Sequence, residues 1–162
     1  MRKIVKYPNP ILVTKTKEVQ AFDEALHSLL DEMCQIMEQA NGIGLAANQV
    51  SESLSVFIMK SQTVLGRGEI IEFINPKILD WNGHYQIDEG CLSAPGIYLR
   101  IHRFKEIDVQ YQDRCGNIKQ GILTDIEAIC FQHELDHLNG IFFIEKASRN
   151  ERRAALKTLG LK

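Results

Sequence analysis

No apolar run in the 162 residues approaches the roughly 20 that a bilayer span needs; the strictly apolar stretches are as short as Val56–Met59 and Ile141–Ile144. Neither sign of charge dominates. Nineteen Lys and Arg stand against 21 Asp and Glu, a formal net charge of -2, so the chain as a whole carries no electrostatic footprint for DNA or RNA. The four cysteines, Cys34, Cys91, Cys115 and Cys130, contain no CxxC pair, which argues against a structural zinc ribbon. In a mid-sized cytosolic chain, free thiols or a metal site are expected rather than disulfides. The opening MRKIVKYPNP has two early cations but no apolar stretch of signal-peptide length, and Pro8 and Pro10 interrupt it. The expected location is cytoplasmic, with a trimmed organellar precursor as the alternative. There is no internal repeat, low-complexity stretch or linker. At 44% hydrophobic and 25% charged the composition is that of an ordinary globular protein, and residues 1–162 are expected to form a single domain.

Two helices are legible. Phe22, Leu26, Leu29, Leu30, Met33 and Met37 fall on one stripe, which predicts a helix from about Asp23 to Ala40. Asp23 is its N-cap and Asn41-Gly42 its stop signal. A second helix runs from about Asp125 to Leu138 and ends at Asn139-Gly140. Thr124 and Glu127 have the spacing of a capping box. Ile126, Ile129, Cys130, His133 and His137 share one face, while Ala128, Phe131, Leu135 and Leu138 form another. A helix apolar on most sides belongs at the centre of a fold. Two histidines and a glutamate there need partners, because polar groups buried without them cost several kcal/mol, to about that order.

The middle of the chain is strand-like. Leu54–Lys60, Glu69–Asn75 and Gly83–Ile87 are short candidates punctuated by Gly, Asn and Pro. Ile107, Val109 and Tyr111 alternate with polar residues. Asp113–Asn117 reads as a hairpin turn into Ile118–Leu123, with Cys115 exposed in it. Ser148–Lys162 reads as a short terminal helix bearing Arg149, Arg152, Arg153, Lys157 and Lys162 against Glu151. Such a run is ordinarily a solvated face; its functional alternative is weak docking to a polyanion. The fold class is therefore α+β: short, mostly antiparallel strands packed around a central metal-binding helix, with one helix in the N-terminal half and one at the C-terminus.

Chemistry concentrates in three segments. His133-Glu134-Leu135-Asp136-His137 places two imidazoles one turn apart on one face of a helix, where they can grip one metal ion. Glu134 projects so that it can reach a water beside that ion. A catalytic metal wants a third protein ligand and one open position. After Gly140 no histidine remains, only Glu145, in an apolar strand-like segment, and Glu151. Upstream, Cys91 lies in Glu89-Gly90-Cys91-Leu92-Ser93, between a strand and Pro95-Gly96, where a thiolate could be presented inward. Taken alone it reads more readily as a buried structural thiol. The third segment, Gly42-Ile43-Gly44-Leu45-Ala46-Ala47-Asn48-Gln49, lacks the third glycine of a dinucleotide loop and is not a Walker A loop. Its small residues let another backbone approach closely.

In order and separation, Gly42–Gln49, Glu89–Ser93 and His133–His137 resemble the GxGLAAxQ, EGCLS and HExDH motifs of the peptide deformylase family. The likeness covers essentially the whole chain, including Tyr7-Pro8-Asn9-Pro10 and Arg103. It departs at Asn9, where Asp is common, and at Val13, where Arg is common; both lie outside the motifs. The resemblance implies that Cys91, His133 and His137 bind one divalent metal ion, with water as fourth ligand, and that Glu134 is the general base. It implies that Gln49, through its side-chain amide, and Leu92, through its backbone N–H, stabilise the oxyanion. Fe(II) is the family's native metal, and zinc, nickel or cobalt can take its place; a thiolate with two imidazoles suits zinc at least as well. With iron, oxidation of the metal or of Cys91 would silence the site.

The implied reaction is hydrolysis of the formyl group from the N-terminal formyl-methionine of newly synthesised polypeptides, releasing formate: a step of N-terminal processing in protein biosynthesis. Ile43, Gly44, Ile87, Gly90, Ile126, Ile129 and Cys130 are the candidate substrate-binding residues, an apolar slot suited to methionine. The backbone near Ile43-Gly44 and Gly96 is placed to pair with an extended peptide. Each aliphatic singly reads equally as ordinary core. Glu89, held by Arg103, is the expected acceptor for a ligand histidine's N–H. The partners expected are nascent formyl-methionyl peptides, with weak ribosome docking through the basic C-terminal segment, no membrane and no DNA, and a monomeric state. Two rivals stand beside this reading. A metallopeptidase of HExxH type needs a cleft open on both sides of the scissile bond and usually a downstream third ligand. A non-catalytic metal-binding or ribosome-associated protein predicts that Glu134 is dispensable.

Overall fold

The run Val56-Phe57-Ile58-Met59 is fully buried along its length, and the reason lies in the layering around it. The computed structural model describes residues 1–62 and 68–162. Strands β1 (Gly44–Ala46), β2 (Val56–Lys60), β3 (Ile70–Asn82), β6 (Glu106–Gln112) and β7 (Ile118–Thr124) form an antiparallel sheet in that order, and β4 (Asp88–Cys91) pairs with β5 (Ala94–Arg100). The helices are α1 (Glu24–Gln39), α2 (Asp125–Leu138) and α3 (Arg149–Thr158). Successive residues of a strand point to opposite faces. Val56 and Ile58 therefore join the cluster of Leu26, Leu29, Leu30, Met33 and Met37 from α1. Phe57 and Met59 join Ala128, Phe131 and Leu138 from α2. With α1 on one face and α2 on the other, β2 has no solvent side and reads as a continuous apolar run.

Alpha-1 forms as its stripe predicts: Asp23 caps it by accepting from the Leu26 amide at 3.0 Å, and the stripe residues of the helix are buried. Alpha-2 occupies the predicted span and is buried on nearly every side. Its Phe131 ring meets Phe57 and Phe73 edge-on at 5.1 and 5.2 Å. A third cluster unites Leu12, Ile97, Leu99, Phe142, Phe143, Ile144 and Ala155. It brings the N-terminal segment, β5 and the helix-like turn Phe143–Lys146 against the other side of α2, since Phe142 and Phe143 each contact one of the two imidazoles. Alpha-3 closes that cluster with Ala155 and leaves its arginines exposed. The α+β architecture is as the sequence implies.

Four local expectations fail, each for a nonlocal reason. Beta-3 does not stop at Asn75 but runs to Asn82, with register shifts on β6 between Ile74 and Lys77 and between Ile78 and Asp80. Asn75, at φ 50°, absorbs the irregularity. Its Oδ1 accepts from the Val19 amide and its Nδ2 donates to Val19 O and Gln112 Oε1, so the strand bulges past Pro76 instead of ending there. Gly83–Ile87 is not a strand; Tyr85 forms an isolated bridge with Arg103, and pairing resumes at Asp88, whose partner β5 runs beside it. The capping box is absent: Thr124 makes no side-chain cap bond among the described residues. Glu127 turns away to accept from the Gln62 amide at 2.8 Å and from Ser61 Oγ at 3.2 Å. This pins the segment after β2 to the first turn of α2. Glu145 lies in the helix-like turn rather than in a strand.

Candidate active site

The antiparallel pair β4–β5 carries Cys91 to the histidine face of α2. Cys91 Sγ lies 3.4 Å from His137 Nε2, and one donor atom each from Cys91, His133 and His137 fall within 4.8 Å of one another. His133 Nδ1 faces Glu89 Oε1 at 3.0 Å. A carboxylate only accepts, so Nδ1 carries a proton, and Nε2 is the nitrogen left to face the thiol side of the site. Glu89 is gripped at both oxygens by Arg103, Nε to Oε2 and Nη2 to Oε1, each at 2.9 Å. The remaining arm of Arg103 donates to Asp136 at 2.6 Å, and Lys146 lies 2.9 Å from the same carboxylate oxygen. Glu89 and Arg103 are 5% and 3% exposed. Removing one partner of such a buried pair typically costs about 3–5 kcal/mol.

The two imidazoles are pushed in opposite directions. Burial opposes protonation of both and pushes His137 well below the ordinary histidine value. At His133 burial acts the same way but is outweighed by hydrogen bonds to Cys91 and Glu89, which lift the group to about 10. Burial raises Glu134 to about 7. Glu89 is held below the ordinary range although burial acts against it, because His133 and Arg103 bond to it.

This donor set fits a divalent cation. Zinc held tetrahedrally by sulfur and imidazole sets the two donors about 3.6 Å apart, near the separation of Cys91 Sγ and His137 Nε2. One soft thiolate with two imidazoles suits zinc or divalent iron, nickel and cobalt rather than calcium or magnesium.

A cavity of about 580 Å³ opens over this cluster and is lined by Gln49, Cys91, Leu92, His133 and Glu134 among others. All seven candidate slot residues lie on its wall: Ile43 and Gly44 from the first motif, Ile87 and Gly90 from just before and within β4. Ile126, Ile129 and Cys130 come from α2. Ile43 and Ile126 are partly exposed, whereas Ile129 and Cys130 are buried. Burial raises the Cys130 thiol well above its ordinary value, so it is a neutral, apolar wall. Gln49 is almost wholly buried and fixed in orientation. Its Oε1 accepts from the Ala46 amide at 2.9 Å, while Nε2 donates to Ser93 Oγ at 3.1 Å and approaches Cys91 Sγ at 3.6 Å. The amide N–H thus points at the thiol side of the site.

Several contributors escaped the sequence reading. Asp136 and Lys146 extend the Arg103 cluster; a charged residue on a helix buried almost all round was the available signal. An N-terminal strap fastens the first two motifs to each other: the Val5 amide donates to Gln49 O at 2.8 Å, Tyr7 to Ser93 O at 2.9 Å, and Lys6 Nζ to Leu92 O at 2.8 Å. Nothing local in those residues announces that. Asn48, wholly buried, stood in plain view as the one polar residue before Gln49 in a loop of small and aliphatic side chains.

The family model described as Polypeptide deformylase matches residues 1–153. The chain is 40% identical over 162 residues to a peptide deformylase of Wolinella succinogenes, covering 98% of this chain and 95% of that protein. It is 39% identical over 160 residues to one from Helicobacter pylori, covering 97% and 92%. Among solved structures, a peptide deformylase from Legionella pneumophila superposes with a TM-score of 0.91 at 35% identity, over 99% of this chain and 94% of that one.

Close approach at the first motif is directly testable. A Cβ added at Gly44 would lie 2.9 Å from both Cys130 Sγ and Glu134 Oε1, and both side chains are buried. Gly44→Ala is expected to cost about 1–3 kcal/mol in urea unfolding, the usual range for overpacking. A midpoint equal to that of the parent would contradict the contact.

Proposed function

The chain belongs to the polypeptide deformylase family, metal-dependent enzymes that hydrolyse the formyl group from the N-terminal formyl-methionine of newly made polypeptides and release formate, and from that premise we propose how its own residues divide the work. Cys91, His133 and His137 hold the metal. The observation that carries this reading is the convergence of one sulfur and two imidazole donors within 4.8 Å, one of the imidazoles already turned by a carboxylate that leaves Nε2 free. The ion, when bound, supplies Lewis acidity, polarising the formyl carbonyl and making hydroxide accessible near neutral pH. The resemblance favours Fe(II) as the native ion, with zinc, nickel or cobalt able to replace it.

Glu134 takes the proton of the attacking water at its carboxylate and returns a proton to the departing amine. Its burial beside the cavity, which raises it to about 7, supports that role, since a carboxylate poised there can both take and return a proton near neutral pH. The oxyanion that develops on the formyl oxygen needs donors already aimed at it, because reorienting them during the reaction would raise the barrier. Gln49 supplies its side-chain N–H and Leu92 its backbone N–H. The bonds that fix Gln49 to Ala46 and Ser93, and the strap bonded to Leu92 O through Lys6, support both assignments. Ile43, Gly44, Ile87, Gly90, Ile126, Ile129 and Cys130 receive the methionine side chain. The neutral Cys130 thiol and the aliphatic wall suit an unbranched thioether. The peptide beyond it lies extended against the backbone of Ile43-Gly44 and Gly96.

Residues 1–162 act as a single domain and a monomer in the cytoplasm, where nascent chains are made; no helix of the described residues is long and apolar enough to cross a membrane. The exposed arginines of α3 dock weakly on ribosomal RNA.

Two outcomes test this assignment. Glu134→Ala is expected to lower kcat for formate release from a formyl-Met peptide by about 100- to 10,000-fold, with the far-ultraviolet circular dichroism unchanged. A variant within twofold of the parent would remove Glu134 from the chemistry and favour a non-catalytic metal protein. Deleting Ser148–Lys162 should reduce co-sedimentation with ribosomes, chiefly at low salt; unchanged binding would end the docking proposal.

A further inference from the structure

We infer that Asn48 is a positioning residue for His137, its Oδ1 accepting the proton that the ring carries on Nδ1 when Nε2 is given to the metal. The inference rests on the ligand assignment proposed above and adds to it a residue outside the metal-binding set.

Asn48 is 0% exposed, in a segment otherwise built of small and aliphatic side chains up to Gln49. An amide enclosed there has to find its own partners. Its Nδ2 donates to the backbone carbonyl of His137 at 2.6 Å, with Ile11 O at the limit of reach, 3.5 Å. The side chain is therefore tied to the residue whose ring it would orient. Its Oδ1 and the Nδ1 of His137 are both buried and without a partner among the described residues; the other such atom is Glu134 Oε2. Cys91 Sγ sits against His137 Nε2, so the neutral ring that gives Nε2 to an ion must carry its hydrogen on Nδ1. One unsatisfied donor and one unsatisfied acceptor thus lie on two residues already joined by a short hydrogen bond. No bond joins them directly in this structure; a small turn of the ring, or one water between them, would complete both.

The same logic is visible at the other imidazole, where Glu89 accepts from His133 Nδ1. The difference in residue type has a reason. The group beside His137 must donate to a carbonyl with one arm and accept from the ring with the other. An amide does both; a carboxylate would set an oxygen against the His137 carbonyl.

Two variants separate these arms. Asn48→Leu keeps the approximate shape and loses both bonds. Asn48→Asp loses the bond to the carbonyl but keeps an acceptor for the ring. Zinc affinity, read by chelator competition on metal-free protein of equal melting behaviour, is expected to fall in the order parent, Asp, Leu. The Leu variant should bind about 10- to 100-fold more weakly, the usual effect of removing a group that orients a ligand histidine. The cobalt-substituted Leu variant should also show altered d–d bands, which a change in global stability alone would not produce. A folded Leu variant with parental zinc affinity and cobalt spectrum would overturn the inference; so would an Asp variant that binds more tightly than the parent, which is what charge alone predicts. Where the Leu variant does not fold, the zinc-loaded parent structure decides: Nδ1 of His137 should lie within hydrogen-bond reach of Asn48 Oδ1 or of a water held by it, and a bond to any other acceptor overturns the inference. Failure of the parent to bind zinc through Cys91, His133 and His137 is a separate result, and it refutes the ligand assignment itself.

Discussion

A helix buried on nearly all sides that carries two imidazoles and a carboxylate is unstable unless each polar group is compensated, and that constraint organises much of this molecule. Glu89, Arg103, Asp136 and Lys146 form a chain of charge-assisted contacts around α2. It fixes His133 from one side while β4 brings Cys91 to the other. The aromatic pair Phe142 and Phe143 packs on both rings and keeps solvent from that flank. The donor atoms of Cys91, His133 and His137 that converge beside this chain of contacts form a cluster of the size and softness that a transition-metal dication takes.

The same constraint explains why the fold has its layers. A site assembled from a helix, a two-stranded ribbon and a loop is held only as well as those elements are held to one another. Beta-2, buried on both faces, fastens the first motif through its pairing with β1 and supports α2 through Phe57. Glu127 ties α2 to the end of that strand. The N-terminal strap joins the first two motifs directly, through Gln49, Leu92 and Ser93. Rigid placement of hydrogen-bond donors is the property that stabilisation of a developing oxyanion demands.

Where the sequence was legible, local pattern and tertiary environment agreed. The stripe of α1, the enclosed apolar character of α2, the alternation of β6 and the turn at Asp113–Asn117 all follow from periodicity and turn chemistry, and each occupies its expected place. The misreadings arose where a distant partner decided the outcome. Glu127 has the spacing of a capping residue, yet the Gln62 amide and Ser61 hydroxyl offered it a better acceptor role. Asn75-Pro76 has the look of a strand end, yet β6 runs alongside and the chain bulges through. Asp88-Glu89-Gly90-Cys91 has poor strand propensity and becomes a strand because β5 pairs with it. At the site, residue types with distinctive chemistry stood out: His133, Glu134, His137 and Cys91 together. Asp136, Lys146, Asn48 and the strap residues did not, since their importance lies in whom they touch across the fold rather than in their own reactivity.

X-ray absorption at the metal edge of the zinc-loaded protein examines the central claim most directly. The account predicts one sulfur neighbour at about 2.3 Å and two imidazole nitrogens at about 2.0–2.1 Å, with the sulfur shell lost in Cys91→Ser. A bound ion surrounded by nitrogen and oxygen alone in the parent protein would contradict it.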